Sequence, residues 1–333
     1  MTDTTTTADP TRATAGAAPA AHGRMPDNLL RVADLDPTAL ALMLELSAAM
    51  KAEPLGWRAG LAGGAIGCIF EKPSTRTRVS LAVAAHRLGM TAVSLTREDM
   101  QLGHGETWAD TARVLSSYLD AITVRTFEHR TVEQLAEVAA VPVINALSND
   151  HHPCQSLADL LTLTEHFGAL PGLTAAFIGD ARGNTCNSFL EACAATGMHL
   201  VVASPASYDP DPELLASARR TVATTGGSVT TTTEPADAVR DAQVVYAEVW
   251  VPMDKPHEAH ERAERFARHR VDHELLAHAR PDTVVLHCLP AMRGQEITSD
   301  VLDGPNSLVW QQAANRLPTA QAVLHTLITE RRG

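Results

Sequence analysis

The run Ala65-Ile66-Gly67-Cys68-Ile69-Phe70-Glu71-Lys72-Pro73-Ser74-Thr75-Arg76-Thr77-Arg78 carries the decisive pattern. Residues 65–70 form a short apolar stretch that reads as a buried strand. It empties into a polar loop, and helical spacing follows over 79–87. Backbone N–H groups at such a helix start attract anions, and Ser74, Thr75 and Thr77 add hydroxyl donors. Arg76 can grip a phosphate through two nitrogens. A capped helix with a solvated basic turn accounts for one hydroxyl. Three hydroxyls and two arginines favour an anion site.

Outward from this unit the same alternation repeats. Strands are expected at 91–95, 121–124 and 141–145, with helices over 110–118 and 151–167, and an earlier helix begins at Pro37. A second series follows: strands at 175–178, 199–203, 244–246 and 283–286, and helices at 188–196, 211–223 and 272–279. In the helix over 151–167, Leu157, Leu160, Leu161 and Leu163 fall largely on one side. Short apolar strands alternating with helices predict parallel sheets covered on both faces. The expected fold is α/β, with two doubly wound parallel-sheet domains and the active site in the cleft between them, since ligands of such sheets lie at the carboxyl ends of strands.

The chain has 333 residues, 45% hydrophobic and 20% charged, with a formal charge of −12. That size accommodates two domains. The acidic balance speaks against nucleic-acid binding, which needs a basic face, while leaving room for a local cluster of arginines. Five cysteines without a CxxC pair read as reduced thiols rather than a disulfide framework or zinc site. No apolar run approaches membrane-spanning length and no signal pattern opens the chain, so the expectation is a cytoplasmic protein without a membrane partner. Residues 1–24, rich in Thr, Ala and Pro, read as a disordered tail.

Several motifs together resemble the aspartate and ornithine carbamoyltransferase family. Ser74-Thr75-Arg76-Thr77-Arg78 is similar to its carbamoyl-phosphate motif. Asp99-Met100-Gln101-Leu102-Gly103 and Asp110-Thr111-Ala112-Arg113-Val114-Leu115 resemble the loop and helix that follow. His152-Pro153-Cys154-Gln155 resembles the HPxQ segment, His287-Cys288-Leu289-Pro290 is typical of the ornithine branch, and Asn315-Arg316 resembles the closing motif. The likeness runs from about Leu35 to the C-terminus.

What the resemblance implies is transfer of the carbamoyl group from carbamoyl phosphate to the side-chain amine of ornithine, without metal or cofactor. Ser74, Thr75, Arg76 and Thr77 would hold the phosphate. Arg125 would neutralise it and polarise the carbonyl, His152 would donate to the carbonyl oxygen, and Gln155 would accept from the carbamoyl NH₂. Cys288 and Leu289 would flank the donor, and Arg316 would reach it from the last segment. Gln101 would enter a neighbouring subunit's site, implying a homotrimer. Asn184, Glu248, Pro252, Met253 and Cys288 would form the acceptor pocket. The implied division is a carbamoyl-phosphate domain over 25–155, an amino-acid domain over 156–317, and a last helix over 318–330 packed back on the first.

The chain departs from the family pattern on the acceptor side. Where the ornithine branch has Asp-x-x-x-Ser-Met-Gly, residues 248–254 read Glu-Val-Trp-Val-Pro-Met-Asp, and Ala314 replaces the usual Glu before Asn315. Pro252 removes a hydroxyl and a backbone N–H. Such a pocket could take ornithine, putrescine or another diamine or diamino acid. A catalytically silent ligand-binding paralogue is a further reading. Two others are weaker: Gly179-Asp180-Ala181-Arg182-Gly183-Asn184 does not supply the GxGxxG of dinucleotide sites, and His257-Glu258-Ala259-His260 has the wrong spacing for HExxH zinc ligands.

Overall fold

In the computed structural model, which describes residues 24–252 and 255–332, without the side chains at 103 and 104, the apolar run Ala65–Phe70 is strand β1. Thr91–Thr96 (β2), Ala121–Arg125 (β3) and Val143–Leu147 (β4) join it in a parallel sheet of order β2-β1-β3-β4. Thr174–Ile178 (β5), His199–Ala203 (β6), Ser228–Thr232 (β7), Val244–Ala247 (β8) and Val284–His287 (β9) form a second parallel sheet of order β7-β6-β5-β8-β9. The expected α/β architecture with two parallel sheets is what the chain adopts. Of the expected tail, only Arg24 lies within the described residues.

Helices α1 (Pro37–Ala52), α2 (Arg76–Arg87), α3 (Trp108–Ser116) and α4 (His129–Val138) accompany the first sheet; α6 (Asn184–Ala195) and α7 (Pro212–Thr225) accompany the second. Asp36 caps α1 by accepting the Ala39 N–H at 2.8 Å, with Pro37 in the first turn as its missing donor permits. Asp211 caps α7 in the same way, accepting from Glu213 and Leu214.

Helix α5 (Pro153–Phe167) joins the two sheets and differs from the one-sided helix expected: every residue from Pro153 to Leu163 is buried. The reason is its place between the halves, where the apolar core covers its leucines and Gln312, Asn315 and Arg316 cover the face of Gln155, Asp159 and Thr162. The C-terminal helix Val309–Arg332 packs against α1, α2 and α5. It starts well before the span expected because Pro318 lies inside it rather than at its boundary. The chain order of each sheet reverses beside β1 and β3 in the first and beside β5 and β8 in the second. Ligand crevices open at such switch points, outside the carboxyl ends of the strands. The carboxyl ends of β1, β3, β4, β5, β8 and β9, with the loops and helix starts that follow them, carry most of the residues singled out above; Gln101 follows β2 and Arg316 lies on the C-terminal helix.

Candidate active site

Thr75 is the N-cap position of α2, and its side chain makes no capping bond, so the first-turn N–H groups of α2 and the hydroxyls of Ser74 and Thr75 stay available to a ligand. Arg76 and Thr77 open the helix itself. Arg125 ends β3 and is buried. Arg316 comes from the C-terminal helix, donating from Nη1 to Gln155 Oε1 at 2.7 Å and from Nη2 to Thr77 Oγ1 at 3.1 Å.

These groups feel one another. Burial pushes the Arg125 guanidinium down to about 10, assisted by repulsion from Arg316 and Arg76. His152, at the N-cap of α5, is held neutral: burial lowers its imidazole well below the usual range, and Arg316, Arg125 and Arg76 add to the effect. Its Nδ1 has no partner among the described residues, while its backbone N–H is fixed by Ser188 Oγ at 2.7 Å. Three guanidinium groups around one neutral imidazole make a pocket whose repulsion an anion relieves. Gln155 is buried with both amide ends engaged, Nε2 donating to Asp159 Oδ1 at 2.8 Å; Oε1 keeps a second lone pair.

Beside this cluster, across the cleft, stands Cys288 at the end of β9. Its Sγ lies 3.6 Å from Glu248 Oε2 and 3.8 Å from Thr185 Oγ1. Burial, then the field of Asp180, pushes the Glu248 carboxyl up to about 8. Burial, then Glu248, likewise raises the Cys288 thiol well above its ordinary range. Burial thus favours the protonated form of both groups at neutral pH, and a cationic amine would draw the proton off Glu248. Asn184 begins α6 and donates to the Ser148 carbonyl at 2.6 Å, tying this side to the segment leading into α5. Leu289 has φ 57° and donates its N–H to His287 Nδ1 at 2.8 Å. Gly179 must be glycine: at φ 142° its missing Cβ would lie 2.9 Å from the Glu248 carbonyl oxygen.

A latch holds the segment after β8. Arg262, on the helix Ala259–Phe266, bonds Asp180 Oδ2 from Nη1 at 2.5 Å with both side chains buried, the Trp250 carbonyl at 2.8 Å and Glu258 Oε2 from Nε at 2.6 Å. Pro252 is half-buried beyond it. Met253 and Asp254 lie outside the described residues.

The structure thus gathers Thr77, Arg76, Arg125, His152, Gln155 and Arg316 on one side, and Asn184, Glu248, Cys288 and Leu289 at the strand ends facing them. It does not bring Gln101 in: that residue is exposed at the start of the turn Gln101–His104. Asp159, Tyr246, Gln312 and Arg262, which anchor the site residues, escaped the reading of motifs. Asp159, set among Leu157, Ala158, Leu160 and Leu161, is the signal the sequence offers.

Both halves of the chain match known proteins. Residues 27–165 match the aspartate/ornithine carbamoyltransferase carbamoyl-P binding domain, and residues 171–327 match the Asp/Orn binding domain of the same enzymes. The chain belongs to the aspartate/ornithine carbamoyltransferase family. This carbamoyltransferase is 46% identical to the ornithine carbamoyltransferase of Symbiobacterium thermophilum over 92% of this chain and 96% of the relative. It is 50% identical to that of Methanoculleus marisnigri over 80% of this chain and 85% of the relative. The solved ornithine carbamoyltransferase from Pyrococcus furiosus superposes with a TM-score of 0.86 at 44% identity, covering 89% of this chain and 95% of that one. Among the described residues no helix is long and apolar enough to cross a membrane.

Proposed function

We propose that this carbamoyltransferase moves the carbamoyl group of carbamoyl phosphate to the side-chain amine of L-ornithine, giving L-citrulline and phosphate. The observation that carries the reading is the joint action of Arg76, Arg125 and Arg316 on a neutral His152, beside the Glu248–Cys288 pair.

Residues 25–155 hold the donor and 156–317 the acceptor, with the helical stretch 318–330 returning to the donor half. The first turn of α2, with Ser74, Thr75, Arg76 and Thr77, binds the phosphate. Arg125 and Arg316 take its remaining charge, and Leu289 closes over it with Cys288. The neutral amine attacks the carbonyl carbon, and the oxygen becomes an oxyanion. Arg125 and an N–H of His152 meet that charge; a neutral imidazole is the right donor, since it costs no further cation in a site already crowded with three. Gln155 accepts from the carbamoyl NH₂ and fixes its plane. The C–O bond to phosphate then breaks, its electrons leave with the phosphate, and the amine's proton passes to the departing phosphate oxygens. Positioning and fixed dipoles supply the acceleration, each donor being worth on the order of a hundredfold. Glu248 and Asn184 receive the acceptor's amino-acid end, with Pro252 and Met253 at the pocket edge. Gln101, exposed in one chain, completes the site of a neighbour in a homotrimer, and the setting is cytoplasmic.

Glu248 and Pro252, the first one methylene longer and the second two donors poorer than the family pattern, favour a second reading in which another diamine or diamino acid is preferred. Phosphate release from carbamoyl phosphate, measured with ornithine, putrescine, lysine and 2,4-diaminobutyrate, decides between them. Ornithine should give the highest kcat/KM, with citrulline as product. A clear lead for another amine would replace the acceptor, and no stimulation by any amine would end the enzymatic reading. Arg76→Ala should lose turnover by at least about a hundredfold with its circular dichroism unchanged.

A further inference from the structure

We propose that Asp159 is a positioning residue that ties the donor and acceptor halves of the site into one hydrogen-bonded unit. The proposal rests on the carbamoyl-transfer reading given above.

Asp159 is fully buried on α5, one turn beyond Gln155 and on the same face. Its Oδ1 accepts from Gln155 Nε2 at 2.8 Å and from Gln312 Nε2 at 2.7 Å; its Oδ2 accepts from the Tyr246 hydroxyl at 3.2 Å. Two branches leave it. Through Gln155 the first reaches Arg316, and Arg316 reaches Thr77 in the first turn of α2. Through Gln312 the second reaches the acceptor side, since Gln312 Oε1 accepts the His287 N–H at 2.9 Å, one residue before Cys288. Tyr246 belongs to β8, two residues before Glu248.

The carboxylate settles which way the Gln155 amide faces. Arg316 offers only donors and so demands the Gln155 oxygen; Asp159 at the other end demands the NH₂. Removing the acid leaves the buried Gln155 NH₂ without its acceptor, so the amide, and Arg316 bonded to it, lose the fixed end that holds them in place. Gln312 is oriented by the same logic, between Asp159 and the His287 N–H. Burial pushes the Asp159 carboxyl up to about 7, against the pull of Gln312, Gln155 and Tyr246. Uptake of that proton at Oδ2 leaves both glutamine bonds at Oδ1 in place; only the bond with Tyr246 reverses direction. Asparagine is therefore a faithful replacement, its oxygen at the Oδ1 position and its NH₂ toward Tyr246. Alanine is not.

The test is steady-state kinetics of citrulline formation by Asp159→Ala, Asp159→Asn and Gln312→Met in the full chain. Asp159→Ala should raise the KM of both carbamoyl phosphate and ornithine by about tenfold or more, and Asp159→Asn should bring both back to within about threefold of the unaltered enzyme. Gln312→Met cuts only the acceptor branch and should raise the ornithine KM about fivefold while leaving that of carbamoyl phosphate unchanged. A lowered melting temperature with both KM values intact in Asp159→Ala would overturn the proposal, as would failure of asparagine to rescue. Should Asp159→Ala not fold, equal shifts of both KM values in Gln312→Met would overturn it. Failure of the unaltered protein to make citrulline would instead sink the acceptor assignment. The network is then read by the rise in melting temperature with inorganic phosphate, which should shrink in Asp159→Ala and persist in Asp159→Asn; equal rises in both would overturn the proposal.

Discussion

Glu248→Gln should make the protein more stable and nearly inactive, and the gain should depend on pH. Burial and Asp180 lift the Glu248 carboxyl from 4.5 to about 8. The folded state therefore keeps a proton that the unfolded chain has released, and between those values the folded state loses about 1.4 kcal/mol per pH unit. The loss is under about 1 kcal/mol at pH 5 and reaches about 3 kcal/mol at pH 7, because the gap to 4.5 grows from about half a unit to about two and a half. Glutamine has no proton to lose, yet its oxygen can still accept from the Cys288 thiol. Asp159 and Glu191, both raised to about 7, slope the same way in both proteins and cancel in the difference. Urea unfolding at pH 5, 6 and 7 and fixed protomer concentration should show the variant's advantage growing by about 2.5 kcal/mol across the range. Turnover with ornithine should fall on the order of a hundredfold, since no carboxylate remains to receive the acceptor's ammonium. A difference in stability that stays constant with pH would refute the reasoning, because it would mean that Glu248 is ionised in the folded protein.

Pro252→Ser restores a hydroxyl and a backbone donor at the pocket edge; initial-rate measurements should show the ornithine KM shifting severalfold more than that of carbamoyl phosphate. Arg262→Met strands the buried Asp180 carboxylate, so urea unfolding at pH 7 should register a loss of about 3–5 kcal/mol. A loss below about 1 kcal/mol would mean the latch contributes no more than a surface pair.

How much of this could be read from residues alone depended on how local the cause was. Parallel strands buried on both faces must be continuous apolar runs, and β1 and β6 have the bounds their runs imply. Strand β7 carries no apolar run because Ser228-Val229-Thr230-Thr231-Thr232 sits at the sheet edge, where little burial is demanded and threonine suffices. Helix α4 is equally faint in the sequence, its buried face being only Thr131, Val132 and Leu135. Pro318 misled in the opposite direction: a residue that ordinarily ends a helix is carried inside one because Gln312, Asn315 and Arg316 before it and Ala322, Val323 and Leu324 after it are all buried. At the site, the hydroxyls and arginines of 74–78 advertise an anion because neighbours in the chain are neighbours in space. The meeting of residues 76, 125, 152 and 316 is tertiary, and only likeness to known motifs pointed to it. Asp159, Gln312 and Tyr246 belong to no such motif.

The C-terminal helix has a consequence for how the molecule is made. It supplies Val323, Leu324, Leu327 and Ile328 to the core that also holds Leu40 and Met43 of α1, and it delivers Arg316. During synthesis, the amino-terminal sheet can assemble early, yet its helical cover stays open until this stretch clears the ribosome. Competence for anion binding then waits on the docking of this stretch, and a product stopping before residue 309 would be both sticky and inert.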